Sequence, residues 1–226
     1  MRIGLEKEFF LLTKDGEPVS LAAVNPTGTG GHSLLRLPHD DCGWLVEARG
    51  EPFSNPVDAV FSLKAEIYKI EQTLAEINAE TFFAGLPFRL SDVPIMKVPK
   101  TVRLQSARYF TKPLVKYQNF YGYETHKNAM LEGTAGVHVS FTQETSFTED
   151  ACESCGHCKE RIYNVNFDWP QIFLKLDAAF AEEIKEAKRR PGFYEIKHDG
   201  RVEYRSLPAD VDMEKLIKIL KTVVYT

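Results

Sequence analysis

No stretch of this 226-residue chain approaches the roughly 20 consecutive apolar residues that a membrane-spanning helix needs. A signal peptide is excluded by Glu6, Lys7 and Glu8 close to the start. A surplus of one charge is also missing. The 28 basic and 32 acidic side chains leave a net charge of -4, which gives no general attraction to nucleic acid or to an anionic membrane. Internal repeats, low-complexity tracts and linkers are absent, so residues 1–226 are read as a single domain. The glycine-rich stretch 25–33 (NPTGTGGHS) lacks the Gly-Lys-Ser/Thr ending of a phosphate-binding loop and is read as an ordinary loop. Cysteines are few. Three of the four, Cys152, Cys155 and Cys158, fall within seven residues, whereas a disulfide scaffold would spread them to staple distant segments. The cluster, with His157 inside it, reads as a metal site or a patch of reduced thiols, and either favours a reducing, cytoplasmic setting. A complete zinc ribbon would show a second, distant Cys-x-x-Cys. Its absence leaves Cys42, or a residue of another subunit, to complete a tetrahedral Zn²⁺ site.

What is present is a chain with an ordinary apolar fraction, 43%, and clear periodicities. Residues 2–12 (RIGLEKEFFLL) and 44–52 (WLVEARGEP) read as strands, as do 80–88 and 135–142 (AGVHVSFT). Lys14-Asp15-Gly16 signals a hairpin turn after the first strand. Asn55-Pro56 opens a helix through about Asn78, with Val57, Val60, Phe61, Ala65, Tyr68, Ile70 and Leu74 as its apolar side. The stretch 89–134 carries mixed signals and is assigned only loosely. A polar insertion at about 146–165 holds the cysteines. Residues 169–188 form an amphipathic helix with Pro170 in its first turn. Asp199-Gly200 turns a hairpin that returns through Arg201–Leu207, and a last helix runs from about Asp212 to Val224. The expected class is α+β, an antiparallel sheet backed by helices.

Alternate residues of a strand face opposite sides. Glu6 and Glu8 therefore share a face, opposite Ile3, Leu5 and Phe9, with Lys7 out of place on the apolar side. Glu47, Arg49 and Glu51 share a face, as do His138 and Ser140, and Glu203 and Arg205. In one sheet, five carboxylates and an imidazole would converge. Like charges so close repel, and bound Mg²⁺ or Mn²⁺ would relieve them. Nearby arginines would handle anionic phosphates or carboxylates. A solvated, charged face is the ordinary alternative for any single strand.

These residues carry a resemblance. GLEKEFFLL resembles the Glu-x-Glu-Phe strand of glutamine synthetases and of bacterial-type glutamate–cysteine ligases. LVEARGEPFSNP looks like the Glu-x-x-x-Glu segment of the latter. AGVHVSF is similar to the Gly-x-His strand of both. KRRPGFYE and RVEYRSLPAD resemble the Lys-Arg-Leu-x-Pro-Gly-Tyr stretch and the Arg-x-Glu-x-Arg strand of glutamine synthetase. The five motifs span residues 4 to 210 in the family's order, and the chain's small size resembles the compact carboxylate–amine ligases found in phages. The resemblance implies a curved antiparallel sheet, an open half-barrel. It implies an ATP- and Mg²⁺-dependent, ADP-forming, amide-bond-forming ligase that works through an acyl phosphate. Glu8, Glu47 and Glu51 would hold one cation. Glu6, His138 and Glu203 would hold a second, which bridges the nucleotide phosphates. Arg205 would steady the transferred phosphoryl group. Arg189, Arg190 and Arg201 would contact phosphate or substrate, and Ser140 lies on the cofactor side. The implied partners are a small carboxylate and an amine, as amino acid or peptide, with room for a homo-oligomer. Two other readings compete. One is a non-catalytic, zinc-containing binding or scaffold protein on the same fold. The other is a metal-dependent hydrolase that uses the same carboxylates.

Overall fold

The computed structural model describes residues 1–13, 45–77, 81–84, 118–119, 135–143, 147–151, 159–163, 166–187, 189–197 and 199–224. Its centre is an open antiparallel sheet. Strand β1 (Arg2–Thr13) pairs with β2 (Leu45–Arg49), which is followed by helix α1 (Pro56–Ile77). The short strand β3 (Thr81–Ala84) pairs with the far end of β1, and β4 (Gln118–Asn119) lies at the other edge. Strand β5 (Gly136–Thr142) comes next, then a separate ribbon of β6 (Phe147–Ala151) and β7 (Lys159–Tyr163). The chain continues through helices α2 (Trp169–Ala179) and α3 (Ala181–Glu186), the hairpin of β8 (Phe193–Ile196) and β9 (Val202–Pro208), and helix α4 (Met213–Val224). The spatial order is β2-β1-β5-β9-β8-β4. Among the described residues, no helix is long and apolar enough to cross a membrane.

The α+β class and the four best strands agree with the periodicities. The apolar face does the packing. Ile3 and Leu5 of β1, Val139 and Phe141 of β5, and Val202 and Tyr204 of β9 are all fully buried against the helices. Asn55 starts α1 by accepting from the Val57 N–H at 3.0 Å, and Asp212 starts α4 by accepting from the Glu214 N–H at 2.8 Å. At the hairpin turn Gly200 has φ 79°, a left-handed conformation that glycine adopts without steric cost.

Two expectations need correction here, and one is met. The helix expected over 169–188 is two helices. The backbone of Phe180 departs from helical values (φ -115°, ψ 23°), and its ring buries completely. Tertiary burial overrides local propensity at this point. The buried side of α1 runs through Pro56, Ala59, Val60, Leu63 and Ile70, whereas Phe61, Ala65 and Tyr68 face solvent. Lys7 does lie on the apolar side, half-buried, with its ammonium 5.0 Å from the Phe9 ring centroid. Burial pushes its pKa below the usual lysine value, against the charges of Asp210 and Glu71.

The insertion of 146–165 contains the β6–β7 ribbon, in which Ala151 faces Lys159. Cys152, Cys155, His157 and Cys158 lie outside the described residues, as do Cys42, the Lys14-Asp15-Gly16 turn and the 25–33 loop.

Candidate metal centre

Register decides which polar side chains meet. Glu6 faces Arg49 on β2 and His138 on β5, Glu8 faces Glu47, and Ser140 faces Glu203 on β9. Directly opposed residues share a face. Glu6, Glu8, Glu47, His138, Ser140 and Glu203 therefore gather on the side away from the core helices. The ladder between β5 and β9 shifts by one residue between Val137 and Val139, which sets both Arg205 and Ser206 against His138.

The cluster is enclosed. Glu8 and Glu47 are each 6% exposed, His138 2% and Glu203 0%. His138 Nδ1 lies 3.8 Å from Glu6 Oε2 and 3.7 Å from Glu203 Oε1, and its Nε2 lies 3.6 Å from Glu8 Oε2. These separations exceed a good hydrogen bond. Nδ1 is buried and has no hydrogen-bond partner among the described residues. A buried polar atom without a partner costs about 1–3 kcal/mol, and this one points among carboxylates. One ligand atom each from Glu6, Glu47 and His138 lies within 4.8 Å of the others, which is close enough to share one ion.

Electrostatics support the same trio. Two unit charges about 4 Å apart repel by about 4 kcal/mol at an effective dielectric of about 20, so Glu6 and Glu47 resist ionising together. Burial first, and then the charge of Glu6, push Glu47 up to about 8, against the pull of Arg49. Burial opposes ionisation of Glu6 too, but His138, Glu47 and Arg49 outweigh it and hold the carboxyl well below the usual range. The pair retains one proton at neutral pH and titrates as a unit. A divalent cation would displace that proton and satisfy Nδ1. An oxygen-rich set with one imidazole suits Mg²⁺ or Mn²⁺. The residues present thus fit the ion that the resemblance implies.

The other candidates take different places. Glu8 accepts from the Gly136 N–H at 3.0 Å and so ties the start of β5 to β1. Ser140 Oγ donates to Glu203 Oε2 at 3.2 Å. Arg205 pairs with Glu203, and its Nη1 is 3.4 Å from Glu195. Burial alone would raise the Glu203 pKa, but Arg205, His138 and Lys197 hold it below the ordinary value. Glu51 is exposed and stands apart from the trio that could share an ion. Its displacement has a cause in the ladder: Glu6 faces Arg49, but Ile3 faces Phe53, so one residue is extra on the second strand. The grouping of Glu6, Glu47 and His138 therefore cuts across the two expected sets.

Two arginines have structural partners. Arg189 donates to the carbonyls of Ser206 at 3.1 Å, Ala135 at 3.0 Å and Arg205 at 2.6 Å, clamping the ends of β5 and β9 together. Its guanidinium lies where a Cβ on Gly136 would have to be, at 2.6 Å, so position 136 needs glycine for this close approach. Arg201 binds Asp199 within the hairpin turn, Nε to Oδ2, at 2.6 Å. Arg190 is half-buried.

The sequence reading missed Glu195 and Lys197. Lys197 Nζ lies 2.8 Å from Glu195 Oε2 and 3.3 Å from Glu203 Oε1. The pairing of Glu195 with Glu203 across the β8–β9 hairpin could not be read from the Asp199-Gly200 signal, because a two-residue turn there would set Glu195 against Tyr204 instead. Burial would lower the Lys197 pKa, but the two carboxylates raise it overall. No family model matches the chain, and no curated protein matches it either.

Proposed function

We propose that this chain is an ATP- and Mg²⁺-dependent carboxylate–amine ligase, working through an acyl phosphate on a glutamine synthetase-like sheet. The observation that carries the reading is the buried Nδ1 of His138, without a hydrogen-bond partner among the described residues and 3.8 Å from Glu6 Oε2, in a group where Glu6, Glu47 and His138 can share one ion. The five ordered motifs support it. Three of them supply the trio, one supplies Glu203 and Arg205, and the fifth supplies the Arg189 clamp that fixes the strand ends.

In this reading Glu6, Glu47 and His138 hold Mg²⁺ or Mn²⁺. The ion supplies charge neutralisation for phosphate oxygens and a template that orients them. The chain's own groups do the rest. Phosphoryl transfer requires alignment and charge stabilisation more than covalent help. Arg205, held by Glu203 and Glu195, presents a preorganised cation beside the ion. Ser140 and Glu8 keep Glu203 and the start of β5 in register, so the donors are set before substrate arrives. A carboxylate activated as an acyl phosphate reacts with an amine to form the amide, with phosphate leaving. The enclosure of the acids limits water, which would otherwise hydrolyse the intermediate. ATP is a substrate here, as are the carboxylate and the amine, each an amino acid or peptide.

A screen of ADP release across amino acids, polyamines and peptides tests the proposal. Release should require ATP, Mg²⁺ and both organic substrates, and Glu6→Gln should abolish it. Failure to bind ATP with Mg²⁺ at millimolar concentration would leave the scaffold reading. Cleavage of a substrate without ATP would favour the hydrolase.

A further inference from the structure

Glu203, expected to hold a second divalent ion, is the most enclosed acid of the site at 0% exposure, yet donors already surround it. Ser140 Oγ reaches Oε2 at 3.2 Å, while Arg205 Nη1 and Lys197 Nζ (3.3 Å) both reach Oε1. The same two cations reach Glu195 Oε2, at 3.4 Å and 2.8 Å. Two fixed positive charges and two carboxylates therefore alternate in a closed ring beside His138. A divalent ion entering that ring would meet an ammonium and a guanidinium at contact distance and would have to displace them. At about 4 Å that repulsion is of the same order as the attraction a carboxylate offers. The Glu6, Glu47 and His138 trio differs. Among the described residues its close cationic side chain is Arg49, which is largely exposed, and the imidazole Nδ1, 3.8 Å from Glu6 and 3.7 Å from Glu203, has no hydrogen-bond partner there.

We propose that the protein holds a single divalent cation, at Glu6, Glu47 and His138, and that the Lys197 ammonium, with Arg205, takes the place of a second ion. This inference rests on the metal reading above and deepens it. A phosphate oxygen on the β8–β9 side of the site meets an ammonium with three donors on a flexible stem and a planar guanidinium. No second metal has to be recruited there. Lys197 is suited to the task because its side chain is 25% exposed and bridges Glu195, 20% exposed at the rim, to the fully enclosed Glu203.

Titration of Mn²⁺ into the full chain without nucleotide, with free Mn²⁺ read by electron paramagnetic resonance, tests this directly. Manganese suits the test because thiolate sites disfavour so hard an ion, which keeps the cysteine cluster out of the count. The wild-type protein should bind one Mn²⁺. Lys197→Met keeps the length of the side chain and removes its charge. It should gain a second, weaker Mn²⁺, because Glu195 and Glu203 lose the ammonium they share. Lys197→Arg should stay at one. Two ions in the wild type would overturn the inference and leave the metal reading standing, as would a Lys197→Met variant that stays at one. No bound Mn²⁺ in the wild type would remove both. The wild-type count decides the matter alone if the methionine variant does not fold, and His138→Gln should abolish the single site.

Discussion

On the helix side of the central sheet, Phe173 of α2 meets Tyr204 at 5.1 Å, Trp169 at 5.2 Å and Phe141 at 6.3 Å between ring centroids. On the other side of the same strands, His138 stands among three carboxylates with a nitrogen left unbonded. The first surface is satisfied by packing and by internal hydrogen bonds to the buried Asp177. The second is left in electrostatic tension that packing could have avoided, since Leu or Val at these positions would bury with no repulsion. On the proposed reading, a bound cation stabilises that face. Mutations on the two sides should therefore fail in different ways.

The largest effects should separate the faces cleanly. Phe173→Ala removes a fully buried ring and should cost about 3–5 kcal/mol, measured by urea unfolding in a chelator, while the folded fraction still binds Mn²⁺. His138→Gln should do the reverse. Mn²⁺ affinity should fall at least about 100-fold, with a far smaller loss of metal-free stability. If the histidine variant lost as much stability as the phenylalanine variant, the polar face would be structural and the contrast would vanish.

Next in size is the pH dependence of the metal-free protein. Glu47 is pushed up to about 8 in the folded state, so between the ordinary carboxylate value and about 8 the native form holds a proton that the unfolded chain has lost. Metal-free stability contributed by this group must therefore fall as pH rises through that window. Glu6, shifted the other way, contributes stability above its unfolded value, lost only in strong acid. Unfolding curves with and without Mn²⁺ at pH 5, 6.5 and 8 should show a downward slope that the ion removes. Bound metal adds RT ln(1 + [L]/Kd) and competes with the proton. Glu47→Gln should flatten the slope without metal. A metal-free protein equally stable across the window would show that Glu6 and Glu47 do not share a proton.

A third, smaller effect tests how far the helix side is apolar. Tyr204 lies between Glu203 and Arg205 in sequence but points toward the helices, where its hydroxyl donates to the buried Asp177 Oδ1. The same oxygen accepts from the Gly192 N–H at 3.1 Å. Tyr204→Phe keeps the ring contacts and deletes one charge-assisted hydrogen bond, so it should cost about 1.5–3 kcal/mol in thermal unfolding. A neutral result would mean that solvent replaces the bond, and that the residue is held by its ring alone.

The polar face was the more legible of the two, for a physical reason. A period of two sorts side chains without reference to tertiary structure, so Glu6, Glu8, Glu47, His138, Ser140 and Glu203 could be placed on one face from alternation alone. Their mutual distances could not, because register slips are set by single residues. The extra residue between Arg49 and Phe53 takes Glu51 out of the cluster, and the shift between Val137 and Val139 brings Arg205 beside His138. Lys197 and Glu195 were invisible because β8 shows no clean alternation and their partners lie across the hairpin. Arg189 was read as a phosphate or substrate contact from the resemblance of its motif; the structure adds a clamp to three carbonyls that a motif cannot reveal. The cysteine cluster is legible only as a motif.

The smallest expected effect concerns α1, where the apolar pattern misled. Leu63 is fully buried and Phe61, two residues earlier, is 64% exposed, although both are large and apolar. Hydrophobicity is a one-way indicator: buried residues are apolar, but much of a folded surface is apolar as well. Leu63→Ala should cost about 2–5 kcal/mol by cavity formation. Phe61→Ser should change stability by no more than about 0.5 kcal/mol. Serine and phenylalanine have similar helix propensity, so the exchange isolates the side chain. The contact at stake among the described residues is the Lys64 ammonium, 5.9 Å from the ring centroid, an exposed cation–π pair at the weak end of its range. Chemical unfolding of both variants measures the difference. A Phe61→Ser loss comparable to that of Leu63→Ala would mean that the outer side of α1 is covered in solution, and the helix would then have two packed faces instead of one.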